Sequence, residues 1–370
     1  MKKAIIGIII LIAIIAGAVG VKFLLDSRQP DTITVYGAVG GGKENFLADE
    51  EVNRILAEKY GITVVGDSWS NGKLIVDPVV REDGGAYDFI FFSDQRFFDY
   101  YKLSPDSQKG EAPRSRVEKG GLTLNTPIVI YSWDIVCDAL IAQNIVTERD
   151  GVYYITDMTK LLSYISQGKT WADIGVDKLY GTINIDSTDP VTSSPGATYY
   201  GLLAAIMNGG VVTDENFDEV LPQLKNFYIK SGYMNNTPAD LFEMYLKTGV
   251  GAKPMIVDYE KSIIDFANSN PAGWAQVKDK VRILYPEPTI WNSHCIASLT
   301  ENGNRYFDAI STDPDIQAIA WEKYGFRTGV TGGSYDVKKI AVDGLPASID
   351  SVVQPLRMNM YENLMNHLRN

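Results

Sequence analysis

The chain has 370 residues, of which 45% are hydrophobic and 22% charged, with a formal net charge of −12. This composition is typical of a folded globular protein, and the length exceeds what one hydrophobic core usually fills. The acidic balance argues against nucleic acid as a partner, because nucleic-acid-binding surfaces are basic. We therefore expect two lobes and no nucleic-acid partner.

An unbroken apolar run covers residues 4–21 and is preceded by Lys2 and Lys3. Its length fits either a membrane-spanning helix or the apolar core of a cleaved signal peptide, and its end is rich in the small residues that precede cleavage sites. With the two lysines held in the cytoplasm, both alternatives export the rest of the chain. We predict a signal peptide or membrane anchor over residues 1–26, membrane contact through residues 4–21, and an extracytoplasmic protein.

The chain contains only two cysteines, Cys137 and Cys295, and two histidines, His294 and His367. In an oxidising exterior the cysteines could pair, and two buried free thiols fit the sequence equally well. Too few histidines and cysteines are present for a zinc site of the usual kind. We expect no metal and no cofactor.

The exported part begins with the pattern of a β-α-β unit. Residues 32–36 and 62–65 read as strands, and residues 49–60 between them read as a helix that ends at Gly61. Right-handed connection of such a unit gives parallel strands. Residues 87–92 form a nearly all-apolar strand, the pattern of a sheet that is covered on both faces.

After a further strand at residues 127–133, helices and strands alternate again and predict a second α/β lobe. The predicted helices of this part are 159–166, 197–207 and 240–247, and the predicted strands are 180–185, 254–258 and 281–285. Helices at 303–310 and 316–324 close the main body. Ligands of open α/β sheets bind at the carboxyl ends of strands, and polar loops follow strands at residues 40–43, 93–95 and 186–196.

The segment from Asp186 to Gly210 predicts a polar loop that enters a capped helix. Ser194 suits the N-cap, Pro195 the first helical position, and Gly196 allows a ligand to approach the backbone. Free N–H groups and the helix dipole favour a negative group there. An ordinary turn rich in serine and threonine, with a cap and no ligand, is the alternative.

Two motifs point to other chemistry. Residues 37–44 nearly match a nucleotide phosphate-binding loop, but Glu44 stands where a magnesium-binding hydroxyl is needed. Ser166 with Lys169, and the later Lys247-Thr-Gly, occur in the order of penicillin-recognising serine enzymes, although both lie at predicted helix ends instead of the required settings. We predict a protein that is not an enzyme, with an exported serine enzyme as the alternative.

Several segments resemble bacterial extracellular solute-binding proteins, with the closest likeness to the molybdate-type branch. They are SWSNGKLIV, YDFIFFSD, TPIVIYSWD, TWADIG, DSTDPVTSSPGATYYGLLAAIMNGG, PMIVDYE, YPEPTIWNSH and AIAWEKYGFRTGV. The resemblance implies an α/β fold of two Rossmann-like lobes joined by crossover hinge strands, the type 2 periplasmic-binding-protein fold, with an added N-terminal hydrophobic helix. Lobe 1 then comprises residues 27–126 and 291–370, and lobe 2 comprises residues 127–290, with hinges near 126–133 and 283–298.

The resemblance also implies the function and the residues that contact the solute. A monomer would capture a small solute, such as an oxyanion or another small anionic or zwitterionic compound, and deliver it to the permease of an ABC transporter; a ligand-sensing receptor module is a further alternative. We include Ser132, on the predicted crossover strand, among the binding residues. The predicted ligand-binding residues are Gly41, Gly42, Lys43, Ser93, Asp94, Ser132, Thr192, Ser193, Ser194, Gly196 and Tyr259.

The first loop departs from the molybdate-type pattern. Gly40, Gly41 and Gly42 stand where hydroxyl-bearing residues would grip an oxyanion, and Glu44 and Asp94 add negative charge nearby. A solute that joins a negative group to a positive or hydroxylated part therefore fits the sequence as well as an oxyanion does.

Overall fold

The computed structural model describes residues 31–76, 81–103, 117–232, 234–235, 237–328 and 335–369. Within these ranges no helix is both long and apolar enough to cross a membrane. The predicted signal peptide or anchor, residues 1–26, lies outside the described residues.

The described residues form helices and strands that alternate along most of the chain. The strands are β1 (Ile33–Val39), β2 (Ile62–Ser68), β3 (Phe89–Phe92), β4 (Lys119–Trp133), β5 (Val146–Arg149), β6 (Val152–Ile155), β7 (Met255–Tyr259), β8 (Val281–Pro286), β9 (Thr289–Ser298), β10 (Arg327–Thr328) and β11 (Val352–Val353). The helices are α1 (Glu44–Leu47), α2 (Glu50–Tyr60), α3 (Asn71–Val76), α4 (Gln95–Leu103), α5 (Asp134–Ala142), α6 (Met158–Ser166), α7 (Ser194–Met207), α8 (Phe217–Ser231), α9 (Pro238–Thr248), α10 (Glu260–Ser269), α11 (Pro271–Val277), α12 (Glu301–Thr312), α13 (Pro314–Tyr324) and α14 (Met358–Arg369).

The predicted β-α-β unit is confirmed in lobe 1. β1 pairs with β2 in parallel along its whole length, and with β3 in parallel on its other side. The Asp49 carboxylate accepts the N–H groups of Glu51 and Val52 at the start of α2, and Gly61 ends that helix at φ 65°. A capping carboxylate and a left-handed glycine are the usual local signals for helix ends, which is why the sequence predicts these bounds.

One long strand joins the two lobes. β4 covers residues 119–133, and its first half pairs antiparallel with β9 in lobe 1. Its second half pairs antiparallel with β7 and β8 in lobe 2. The strand order is β2-β1-β3-β9-β4-β8-β6-β5, so that β4 and the β8–β9 connection form the crossover between the lobes. This is the two-lobed α/β fold that the resemblance implies.

Helix α7 is the central helix of lobe 2 and is buried all round. Every residue from 195 to 205 is buried, whereas the sequence indicated one apolar face formed by Tyr199, Leu202, Leu203 and Ile206. A helix that is apolar on all sides belongs inside the core. The rigid packing of α7 fixes its N-terminus in place.

The predicted strand at residues 180–185 is wrong. Thr182 makes a single bridge to Thr170, and only Asp186 joins the sheet, beside Ile256 of β7. Ile183 and Ile185 are buried, so the alternation of apolar residues reflects core packing without a ladder of hydrogen bonds. The segment therefore approaches the sheet edge as an irregular chain.

The C-terminal helix α14 contacts both lobes: the centre of its Tyr361 ring lies 6.2 Å from that of Phe97 on α4, and its other side packs on lobe 2. Met360, Leu364 and Leu368 of α14 belong to the same buried cluster as Leu203 of α7. The amphipathic α14 buries its apolar side on the surface that α7 and α8 offer. The lobe boundaries, including the assignment of residues 291–370 to lobe 1, stay predictions.

Cys137 and Cys295 are buried free thiols. The structure therefore decides between the two alternatives that the sequence left open.

Candidate functional site

A cleft of about 1520 Å³ opens between the two lobes. Its lobe 1 wall includes Gly41, Gly42 and Ser93, and its lobe 2 wall includes residues 192–195 and Tyr259. The three polar loops that the sequence predicts at strand ends thus meet here, as expected for ligand sites of open α/β sheets. Lys43, Asp94, Ser132 and Gly196 are the predicted site residues that do not line this cleft.

The first loop holds one of the chain's own carboxylates. The Gly42 N–H group donates to both carboxylate oxygens of Glu44, at 3.0 and 2.8 Å. Gly42 has φ 86°, a left-handed conformation that glycine adopts without strain. The N–H group that a bound anion would use is therefore already satisfied by Glu44.

Lys43 lies beneath the loop and away from the cleft wall. Its Nζ donates to the Gly40 carbonyl at 2.6 Å and lies 4.7 Å from the centre of the Phe91 ring. Burial lowers the pKa of Lys43 to about 7, against the raising effect of the Glu44 charge. This lysine holds the loop in shape, so direct contact of Lys43 with a solute stays a prediction.

Ser93 is held in place by two asparagines. Asn71 donates to the Ser93 hydroxyl at 2.7 Å and accepts the Ser93 N–H at 3.1 Å. Asn292 donates its Nδ2 to the Ser93 carbonyl at 3.0 Å. Because the Ser93 hydroxyl accepts from Asn71, it can turn its own hydrogen toward a molecule in the cleft.

Asp94 is neutralised by Arg96, a residue that the sequence reading missed. The Arg96 Nε lies 3.0 and 3.1 Å from the two carboxylate oxygens of Asp94, and both side chains are buried. The Arg96 guanidinium also lies 4.4 Å from the centre of the Tyr361 ring on α14. Arg96, not Asp94, lines the large cleft. The Asp-x-Arg spacing was the available signal for this pair.

Helix α7 begins one residue earlier than predicted. Ser193 occupies the N-cap, and its hydroxyl donates to Thr188 Oγ1 at 2.8 Å instead of capping a backbone N–H. Pro195 lies in the first turn, as predicted. No described residue accepts a hydrogen bond from the N–H groups of Ser194 or Gly196. The start of α7 therefore keeps the free donors and dipole that attract a negative group.

Gly196 lies close against the chain's own backbone, and its expected role in admitting a ligand stays a prediction. A Cβ atom at this position would lie 2.3 Å from the Thr188 carbonyl oxygen and 2.9 Å from the Pro190 nitrogen. The absent side chain thus lets the preceding loop fold onto the helix. Gly196 shapes the cleft wall indirectly.

Ser132 is part of the sheet of lobe 2. It is completely buried, and its hydroxyl donates to the Pro254 carbonyl at 3.0 Å. Its carbonyl accepts the Tyr245 hydroxyl at 2.6 Å. These bonds leave Ser132 occupied within the protein, away from the cleft wall.

Three buried polar side chains that line the cleft, Asp258, Tyr259 and His294, have atoms without hydrogen-bond partners among the described residues. Asp258 and His294 are each 2% exposed, and Asp258 Oδ2 and His294 Nδ1 make no hydrogen bond within the described ranges. Burial raises the pKa of Asp258 to about 6, against the lowering effects of the Tyr259 N–H, the Ser262 hydroxyl and Lys261. Burial likewise lowers the pKa of His294 well below its usual value, so the ring is neutral. Buried polar atoms left without partners are rare and point to a missing ligand or water.

Lys261 supplies positive charge near both of these groups. It lies in the first turn of α10, with its Nζ 5.0 Å from the centre of the Phe326 ring. It lines the cleft with Asp258 and His294, and its charge lowers the pKa of both. Its Nζ forms no ion pair with any carboxylate of the described chain.

The serine-enzyme arrangement is not assembled. The Ser166 hydroxyl donates to the Ser163 carbonyl at 2.9 Å, and Lys169 lies over the Tyr164 ring. Lys247 pairs with Glu243 on the exposed surface of α9. Within the described residues, neither lysine lies within hydrogen-bond distance of the Ser166 hydroxyl. A nucleophilic serine needs a base in that position.

No group of three or more His, Cys, Asp or Glu side chains among the described residues could hold a metal ion.

No family model and no curated protein matches the sequence. Solved structures do match the fold. An extracellular solute-binding protein from Bordetella parapertussis is 14% identical, with a TM-score of 0.57 over 91% of this chain and 96% of that one. An ABC transporter structure from Clostridium perfringens is 14% identical, with a TM-score of 0.52 over 90% and 98%. The ferric binding protein from Campylobacter jejuni is 14% identical, with a TM-score of 0.51 over 90% and 97%. At these identities the likeness establishes the fold.

Proposed function

Starting from the two-lobed fold of extracellular solute-binding proteins, we propose that this protein captures a small solute between its lobes and delivers it to an ABC transporter. One observation carries the proposal. The cleft is walled by strand-end loops of both lobes, and Asp258 and His294 turn unpartnered buried atoms toward it. Such atoms gain most when a bound molecule supplies the missing hydrogen bonds.

Each wall has its own part in binding. The start of α7 offers the Ser194 N–H and the positive end of the helix dipole to a negative group. From lobe 1 the Ser93 hydroxyl offers a hydrogen bond, since Asn71 and Asn292 hold it in a fixed position. Asp258 accepts a hydrogen bond from the solute. Closing the lobes about the crossover strands then brings both walls onto the solute and excludes water.

Location and partners follow from the same proposal. We place the protein outside the cytoplasm, either held by the apolar N-terminal run or released after its cleavage, acting as a monomer and not as an enzyme. The support is the apolar run with its lysines and the likeness to solved structures of an extracellular solute-binding protein and an ABC transporter. The permease of the transporter is the proposed protein partner. The likeness to the molybdate-type branch stays a prediction.

A thermal-shift screen of the full-length chain in mild detergent tests the proposal. The panel contains oxyanions, amino acids, polyamines and sugars, and one class should raise the melting temperature. A solute at about 100 times its Kd adds about 2.7 kcal/mol to the free energy of unfolding. No shift from any class would contradict capture of a small solute.

A matched pair of variants controls the screen. Gly41→Leu places a bulky side chain on the cleft wall and should abolish the shift. Gly251→Leu makes the same change in open space away from the cleft and should preserve it.

A further inference from the structure

The Asp258 carboxylate is the group in the cleft that most needs a partner. Oδ1 accepts the Tyr259 N–H at 2.8 Å and the Ser262 hydroxyl lies near the carboxylate, while Oδ2 has no hydrogen-bond partner among the described residues. No Lys, Arg or His of the described chain forms an ion pair with it. Lys261 supplies positive charge nearby but forms no ion pair with this carboxylate. A buried carboxylate without a counter-ion in contact is costly, and a bound cation offsets that cost better than a neutral group does.

Asp258 and the start of α7 lie at the same edge of lobe 2. Asp186 forms a parallel bridge with Ile256 of β7, and the Asp186 carbonyl accepts the Val257 N–H at 2.9 Å. The loop that leads from Asp186 to α7 therefore departs alongside the end of β7, where Asp258 lies. The Asp258 carboxylate and the start of α7 thus lie on one surface. This surface is negative at Asp258 and positive at the helix start.

On the opposite wall, His294 contributes a neutral donor. The Asn292 Nδ2 donates to the Ser93 carbonyl, which fixes the orientation of the amide, and the same nitrogen lies 3.3 Å from His294 Nε2. His294 Nε2 must therefore accept, and in a neutral ring the proton then resides on Nδ1. That N–H has no acceptor among the described residues.

Glu44 makes the lobe 1 loop unfavourable for an anion. Its carboxylate occupies the Gly42 N–H group with both oxygens. On the lobe 2 wall a multiply charged inorganic oxyanion would meet the Asp258 carboxylate, which lines the cleft together with the cations Arg96 and Lys261. The helix start remains as the place for a single negative group.

We propose that the captured solute is a zwitterion of amino-acid type, with an ammonium group on Asp258 Oδ2 and one anionic group at the start of α7. This substrate class rests on the proposed function, since it names what the cleft captures. The ammonium replaces the missing partner of Asp258, and the anionic group meets the Ser194 N–H. His294 offers its Nδ1 hydrogen to the solute from lobe 1.

Isothermal titration calorimetry of the full-length chain tests this assignment. The probes are the common L-amino acids and ω-amino acids, their matched hydroxy acids, in which a hydroxyl replaces the amine, and sulfate, phosphate and molybdate. At least one amino compound should bind, and its hydroxy counterpart should bind at least about 10-fold more weakly. Asp258→Asn should lower the affinity for the amino compound by about 30-fold or more, because one partner of a buried charge pair is lost. Asp265→Asn, a carboxylate change elsewhere on the cleft wall, should change its affinity less than about 3-fold.

The alternative outcomes separate the two proposals. If an oxyanion or a hydroxy acid binds as tightly as any amino compound, or if Asp258→Asn leaves the amino compound unaffected, the zwitterion assignment is overturned while solute capture stands. If no probe binds and the wider thermal-shift panel is also silent, solute capture itself is overturned, and the zwitterion assignment with it.

Discussion

Arg327 holds Glu260 through two parallel hydrogen bonds of 2.7 Å, from Nε to Oε2 and from Nη2 to Oε1. Both side chains are fully buried, and the Tyr285 hydroxyl donates to the same carboxylate at 2.7 Å. Arg327 belongs to β10, which pairs with the lobe 1 half of β4, and Glu260 begins α10 in lobe 2. The ion pair therefore ties the lobes beside the crossover strand, where a closing motion must pivot.

Breaking this ion pair should be strongly destabilising. Glu260→Gln leaves the Arg327 guanidinium buried without a counter-charge, which should cost about 3–5 kcal/mol of the free energy of unfolding. Urea denaturation followed by circular dichroism measures the loss. Glu243→Gln, in the exposed pair with Lys247, is the control and should cost less than about 1 kcal/mol. Equal, small losses for both variants would show that the buried pair has no special role at the pivot.

The pKa of Asp258 predicts a pH dependence of stability. Its folded value of about 6 lies above the ordinary 3.8, so the folded state binds more protons between these values. The contribution of Asp258 to stability is thus present below pH 4 and is lost as pH rises to about 6. Between pH 4 and pH 7 the free energy of unfolding of Asp258→Asn should rise by roughly 2–3 kcal/mol relative to that of the unaltered protein. Urea denaturation across this range measures the difference, and parallel curves for the two proteins would contradict it.

Gly196 should tolerate no side chain. Gly196→Ala puts a Cβ atom within 2.3 Å of the Thr188 carbonyl oxygen, so the loop before α7 must move. Such overpacking should cost about 1–3 kcal/mol, seen as a lower melting temperature. Gly251→Ala meets open space and is the control. If the two variants melt at the same temperature, the close packing of the loop on α7 is not needed.

Removal of Glu44 should change which solutes the cleft accepts. Glu44→Ala frees the Gly42 N–H group and removes a negative charge, so sulfate should raise the melting temperature of the variant more than that of the unaltered protein. Asn45→Ala, a neighbouring change on the same helix α1, is the control. If sulfate raises the melting temperature of all three proteins equally, Glu44 does not hinder anion binding at the loop.

Local signals account for the parts of the fold that the sequence predicts well. The Asp49 cap, the Gly61 stop and Pro195 in the first turn of α7 act through neighbouring residues, so they can be read directly from the chain. The irregular path at residues 180–185 could not be read in this way, because its apolar alternation fits a strand equally well.

The candidate site was predictable only in outline. The strand-end loops are local features, and they do meet in the cleft. The burial of Lys43 and the pairing of Glu44 with Gly42 depend on how the loop folds back on itself. The partnerless state of Asp258 depends on contacts between elements far apart in the chain, as does the bond between Arg327 and Glu260, and such contacts leave no local pattern.

The distance between the lobes in solution tests most directly whether they close on a captured solute. Spin labels at Glu58→Cys on α2 and Tyr180→Cys in lobe 2 report it, since both positions are exposed and the native Cys137 and Cys295 are buried. Pulsed electron resonance is recorded without solute and with the panel compound that gives the largest thermal shift. We predict a shorter mean distance and a narrower distribution with solute, and no change in the Gly41→Leu variant. An unchanged distribution at saturating solute would contradict closure of the lobes on a captured solute.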